Sequence, residues 1–209
     1  PFNSFQSFLV VEIKERIISS AETLFMRYGV RSVTMDDIAK ELGISKKTIY
    51  IHFSDKNTIV REVTSARLAK EREMVSELHK ATLNPIEEII VSMKLLRDLS
   101  SEVNPIIFFD LKKYHPESWA LYKQHKEFFR EVVKKNLHKG IELKYYRPDI
   151  VPEILARLRI ECVEMAFDPE IFPSNSFNLV DVQLQFIDHF LKGILTPLGL
   201  SVYEELTLH

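Results

Sequence analysis

Apolar side chains return every three or four residues along most of this 209-residue chain, which is the period of a helix with one buried face. Ile13, Ile17, Ala21, Leu24 and Tyr28 predict an amphipathic helix over residues 12–28, and Gly29 stops it as a glycine past the last turn does. Thr34 with Asp37 three residues on is a capping-box variant, flanked by Val33 and Ile38 at staple positions, so a second helix is expected over 35–42. Gly43 closes it. Ser45 then caps a third helix, about 46–52, with Ile44 and Ile49 at the staple positions. So tight a glycine-containing turn joins the two as a steep helix-turn-helix pair.

Asp55 caps a fourth helix running to about residue 82, roughly 40 Å long at ~1.5 Å per residue. Its charge-rich middle, ARLAKEREMVSELHK, suits an exposed connector between two subdomains. Asn84-Pro85, Asn104-Pro105, His115-Pro116 and the RPDIVPE run at 147–153 mark further helix starts. A proline-bearing loop over 167–177 precedes a last helix ending near Leu195. About nine helices result, an all-α chain. In the last helix, Leu179, Val182, Phe186, Phe190 and Ile194 form one apolar line and Leu184, Ile187, Leu191 and Leu195 a second. Two stripes predict burial against both its own subunit and another copy.

Composition narrows the class without naming a function. Apolar residues at 45% and charged residues at 28% fit a globular chain with a sizeable core. Cys162 stands alone among Ile160, Val163 and Met165, which predicts a buried thiol in a reducing compartment. A four-residue apolar run at 8–11 does not make a signal peptide, and no stretch reaches the ~20 apolar residues of a membrane span, so a cytoplasmic protein is expected. Residues 1–80 carry 13 Lys/Arg against 11 Asp/Glu, and residues 81–209 carry 15 against 19. That asymmetry permits DNA binding without requiring it.

The chemistry concentrates in TMDDIAKELGISKKTIYIHFSDK, residues 34–56. On a helical wheel Ile49 and Phe53 share one face of the third helix, and Lys47, Thr48 and Ile51 take the opposite one. Tyr50 and His52 flank that outward face, with Lys46 beside it. Lysine can reach phosphates or a guanine edge, threonine a phosphate, and isoleucine a thymine methyl. Ser45 and the helix N-terminus offer free N–H groups to a phosphate. Lys56 and Thr34 stand near. Each of these residues alone reads as ordinary solvated surface; their ordered conjunction points to a duplex.

That conjunction resembles the signature of the TetR family of bacterial transcriptional regulators, through Ala39-x-x-x-Gly43-Ile44-Ser45-Lys46 and Ile49-Tyr50-x-His52-Phe53-x-x-Lys56. The resemblance covers about residues 12–60. It implies a three-helix DNA-binding domain, here 8–56, and a helical effector-binding and dimerisation domain, here 57–200, that dimerises through its last two long helices. Family contacts to DNA would fall on Thr34, Ser45, Lys47, Thr48, Tyr50, His52 and Lys56. Family members often carry glycine where this chain has Lys47 and a polar or aromatic residue where it has Ile51. A homodimer on a palindromic operator, released by an unidentified small-molecule effector, is the expected repressor.

For the effector, Met93, Phe108, Phe109, Trp119, Tyr122, Phe128 and Phe129 are the candidate lining, with His125, Tyr122 and Glu161 as polar anchors. No cofactor is expected, and no metal: there is no zinc-type Cys/His spacing, glycine-rich phosphate loop or nucleophile elbow. An enzyme would therefore lack an identifiable nucleophile. The other rival is a helical protein-binding adaptor that has lost DNA affinity.

Overall fold

The computed structural model describes residues 2–81, 84–100 and 104–207. Among them are ten helices: α1 Phe2–Tyr28, α2 Met35–Leu42, α3 Lys46–His52, α4 Lys56–Ala81, α5 Pro85–Ser100, α6 Ile106–Tyr114, α7 Pro116–Glu142, α8 Pro152–Met165, α9 Leu179–Ile194 and α10 Pro197–Thr207. The fold is all-α, with one isolated antiparallel bridge between Tyr146 and Leu195 among the described residues. α10 is the helix the sequence pattern did not reveal. Thr196-Pro197 starts it in the manner used elsewhere in the chain, the Thr196 hydroxyl accepting from the Gly199 N–H at 3.1 Å. The apolar line of α9 runs straight into Leu195 and hid the break.

Two compact units divide the chain, Pro1–Ala69 with Glu102–Tyr122, and Lys70–Ser101 with Lys123–His209. The division lies inside α4, and α6 joins the N-terminal helices. In the first unit Ile17, Ala21 and Phe25 of α1, Ile38 of α2, Ile49 of α3, and Ile59 and Val60 of α4 form one core with Ile107 and Leu111 of α6. Each fully buried aliphatic contributes about 1.5–3 kcal/mol. Tyr28, expected on the buried stripe, is half exposed under the Arg27 guanidinium, and Phe25 fills the core in its place.

α6 is fastened to the turn that follows α1. Asp110, 3% exposed, accepts from the Arg31 N–H at 2.8 Å, and the Asn104 N–H donates to the Met26 carbonyl at 3.0 Å. Gly29, at φ 81°, lets Ile106 approach so closely that a Cβ would stand 2.7 Å from its Cγ2.

In the second unit Ile86, Leu137, Tyr146, Ala156, Leu191 and Ile194 are buried together. A satisfied polar network runs beside them: Asn136 donates to the Pro85 carbonyl and to Glu88, both at 2.9 Å, and the Tyr146 hydroxyl donates to Asn136 at 3.0 Å. Burial, and then the charge of Glu88, push the Tyr146 hydroxyl well above its ordinary value.

Both stripes of α9 contribute to the core of the second unit. Val182, Ile187, Leu191 and Ile194, drawn from both, are buried within the protomer, where α9 packs on α5 and α8. α8 also carries an open apolar face. Cys162 is half-buried rather than buried. No described helix is long and apolar enough to cross a membrane.

Candidate nucleic-acid interface

α2 and α3 owe their positions to their caps and to a shared core. Thr34 Oγ1 accepts from the Asp37 N–H at 3.2 Å, and the Asp37 carboxylate accepts from the Thr34 N–H at 2.7 Å, a reciprocal box at the entrance of α2. The Thr34 hydroxyl, then its amide, hold the Asp37 carboxyl below its ordinary value. Gly43, at φ 65°, ends α2 in the left-handed region, its N–H reaching the Ala39 and Lys40 carbonyls. Ser45 then caps α3, accepting from the Thr48 N–H at 3.1 Å. Ile49, 0% exposed, and Phe53, 2% exposed, pin α3 to the core.

The outward face that this leaves carries Lys47, Tyr50 and Ile51, all exposed, with Ile51 at 72%. So large an aliphatic exposure on a seven-residue helix is the feature that most sets α3 apart. Ser45 is exposed and Thr34 is exposed. Three candidates are less open. Thr48 is half-buried, its hydroxyl sharing a hydrogen bond with Ser45 Oγ at 2.8 Å, so it serves the cap. His52 is half-buried. Lys56 is half-buried too, its ammonium donating to the Arg31 carbonyl at 3.3 Å. Burial pushes its proton affinity down, against the opposing pull of Asp110 and Asp37.

The two adjacent lysines differ in a way sequence alone does not reveal. Lys46 Nζ donates to Asp36 Oδ2 at 2.7 Å across the turn, and that bond raises its affinity for its proton. Lys47 has no such carboxylate among the described residues. The α2–α3 crossing brings Asp36 to Lys46, ten positions apart, and no periodicity in the sequence encodes this.

The aromatic candidates for an effector site fall into different units. Phe108, Phe109, Trp119 and Tyr122 belong to the first. Trp119 stacks on Tyr122 at 5.0 Å and packs against the N-terminal core, and Phe108 meets Tyr122 edge-on at 5.0 Å. Phe109 is half exposed beside Tyr114, with Lys113 over its ring.

Met93, Phe128 and Phe129 belong to the second unit and are each half-buried. Phe129 meets His125 edge-on at 4.7 Å. Arg72 Nε donates to His125 Nδ1 at 3.3 Å, and His125 Nε2 stands 2.9 Å from Glu71. His125 thus has both nitrogens engaged, and Glu161 pairs with Lys126 at 3.0 Å. Sequence reasoning passed over Arg159 and Gln183, two polar residues on the buried faces of α8 and α9. The signal was a cation inside an apolar helical stripe.

Residues 17–63 match the family model of bacterial regulatory proteins, tetR family. Over 184 residues the chain is 26% identical to an uncharacterised HTH-type transcriptional regulator, YvaF, of Bacillus subtilis, covering 86% of this chain and 94% of that protein. Over 50 residues it is 42% identical to IcaR of Staphylococcus aureus, an HTH-type negative transcriptional regulator of the biofilm operon icaADBC, a match covering 24% of this chain and 27% of that one.

Among solved structures, a TetR-family transcriptional regulator from Agrobacterium tumefaciens superposes with a TM-score of 0.76 at 18% identity, over 90% of this chain and all of that one. A putative transcriptional regulator from Saccharomonospora viridis in complex with choline gives 0.74 at 23% identity, over 89% of this chain and 99% of that one.

Proposed function

We propose that this chain acts as a TetR-family transcriptional regulator, binding a palindromic operator as a homodimer and repressing transcription until a small molecule releases it. One observation carries the DNA-binding part: α3 turns Ile49 and Phe53 inward and holds Lys47, Tyr50 and Ile51 out. Inserted in a major groove, Ile51 supplies apolar contact to a thymine methyl and Lys47 reaches a guanine edge or a phosphate. Ser45 and Thr34, at the exposed entrances of two helices, position the phosphate backbone. Thr48, His52 and Lys56 act at the margin, and Lys46 is available only when Asp36 releases it.

The homodimer reading draws on α8. Val151 at its N-cap and Ile154, Leu158 and Met165 along one face of that helix are 48%, 64%, 50% and 37% exposed. An open apolar stripe of this length marks an interaction surface, and a second copy of the same helix covers it with a self-complementary one. The two α3 helices of such a dimer would read half-sites about one helical turn apart, roughly 34 Å. An effector in the second unit that favours a different spacing weakens operator binding, by roughly fivefold to 150-fold for a coupling of about 1–3 kcal/mol. IcaR, a negative regulator, shares the reading domain and supports the repressor role.

Mobility shifts with genomic fragments across a salt series test the proposal. Specific binding that weakens steeply with salt is the expected result, because phosphate contacts release counterions. Lys47→Ala is expected to relax sequence preference if it reads a base, or to weaken all sequences equally if it touches phosphate. No fragment bound above background at any salt concentration would overturn the reading.

A further inference from the structure

Arg159 lies on the inner side of α8 with Ala156 and Ile160 and is 8% exposed. Its Nη1 is closed off from solvent and meets no hydrogen-bond partner. The one ionisable side chain with a resolved influence on it is Cys162, and burial lowers its proton affinity to about 10. A guanidinium in such a place, with no carboxylate paired to it among the described residues, is costly to the fold.

Two neighbouring helices show the same deficit. α7 runs antiparallel to α8, since Lys126 reaches Glu161 and Glu164 at one end while His138 Nε2 stands 3.8 Å from Glu153 at the other. One turn on from Lys126, Arg130 therefore comes level with the turn of α8 that carries Arg159. Its Nη2 donates to Glu127 at 2.6 Å, but its Nε is buried and unpartnered. On α9, Gln183 is 1% exposed and donates Nε2 to the Val163 carbonyl at 3.0 Å, which leaves Oε1 buried and without a donor. Four side-chain atoms are orphaned in this way among the described residues, and three of them are these. They sit on neighbouring turns of three helices in one unit; the fourth, Ser20 Oγ, lies in the other unit.

We propose that the second unit binds a small carboxylate on Arg159 and Arg130, with Gln183 accepting from a hydroxyl or N–H of the same molecule. The inference rests on reading this unit as the effector-binding one, and it names the effector's chemical class. A guanidinium fork matches the two oxygens of a carboxylate, and burial strengthens that bond. The same charge repels a quaternary ammonium. Choline, held by the structurally similar protein from Saccharomonospora viridis, is therefore not the ligand type expected here.

The probes are 3-hydroxy acids from 3-hydroxybutanoate to 3-hydroxydecanoate, each paired with its uncharged amide, and choline. They are titrated into the full chain by calorimetry and thermal shift. At least one acid is expected to bind and raise the melting midpoint, while its amide and choline do not. Arg159→Met is expected to weaken that acid about ten- to hundredfold. Gln183→Glu supplies an internal carboxylate, and is expected to abolish acid binding while raising the ligand-free midpoint.

No response to any acid, equal responses to acid and amide, or undiminished affinity in both variants would overturn the inference. Binding of the ligand-free protein to its genomic fragment is measured alongside. Loss of that binding strikes the regulator reading, whereas intact DNA binding with no acid response strikes only this inference.

Discussion

Replacing Asp36 by Asn should make DNA binding tighter and more salt-dependent. In the free protein Lys46 is held by Asp36 at 2.7 Å, and both side chains are largely open to solvent. Such a pair adds little to folding, so the variant should fold as the parent does. What changes is the charge offered to the duplex. A lysine already neutralised by a carboxylate displaces no counterion, whereas a freed one displaces about 0.9 per phosphate it meets. With one Lys46 in each half of a dimer, the plot of log affinity against log salt should steepen by about 1.8.

Between 50 and 200 mM salt, a fourfold change, the variant's advantage should therefore shrink by about twelvefold. Fluorescence anisotropy on a labelled operator over that range measures it. Lys46→Ala should leave the parent's slope nearly unchanged but erase the steepening in the Asp36→Asn background, a double-mutant cycle that isolates the pair. Parallel salt plots for parent and Asp36→Asn would refute the placement of Lys46 beside the phosphates.

Further outcomes follow from the same geometry. Ile49→Ala removes a fully buried anchor of α3 and should cost about 2–5 kcal/mol in urea denaturation; a loss well under 1 kcal/mol would mean that α3 is not held by that core. Asp37 has a depressed carboxyl value through Thr34, so its contribution to stability is present above the unfolded value of 3.8 and lost as pH falls through the folded one. Thr34→Ala should return the Asp37 titration midpoint in carbon NMR toward 3.8, and an unmoved midpoint would remove Thr34 as the cause. If the proposed dimer forms through the open face of α8, Leu158→Glu should convert it to monomer in mass photometry and weaken operator binding; a dimer that persists would place the interface elsewhere.

What the sequence discloses and what it hides divide along physical lines. Helix starts are local, and Thr34, Ser45, Asp55 and Asn84 each act within three residues of themselves, so their caps can be read from the chain. The inward pair Ile49 and Phe53 is likewise a matter of spacing on one short helix. Contacts that depend on how helices cross are not readable in this way. The Asp110 bond to the Arg31 amide spans 79 positions, and the Lys46–Asp36 pair depends on the angle of one turn. Thr48 looked outward on the wheel but lies at the first turn, where the Ser45 cap draws its hydroxyl aside. The aromatics of 93–129 are close in sequence but belong to two units, a division within α4 and α7 that no spacing in the sequence announces.

The clasp between α6 and the turn after α1 limits how this protein can be re-engineered. A graft ending at Lys56 would carry α3 but leave behind Ile59, Val60 and Val63, and with them Ile107 and Leu111, which close the floor beneath it. It would also strand the Arg31 amide that Asp110 satisfies. A chimera meant to keep this chain's operator while answering a foreign signal must therefore take two separated stretches, the N-terminal one through the first half of α4 and the one bearing α6. The recognition head is a discontinuous module, and its portability ends where that second stretch is cut away.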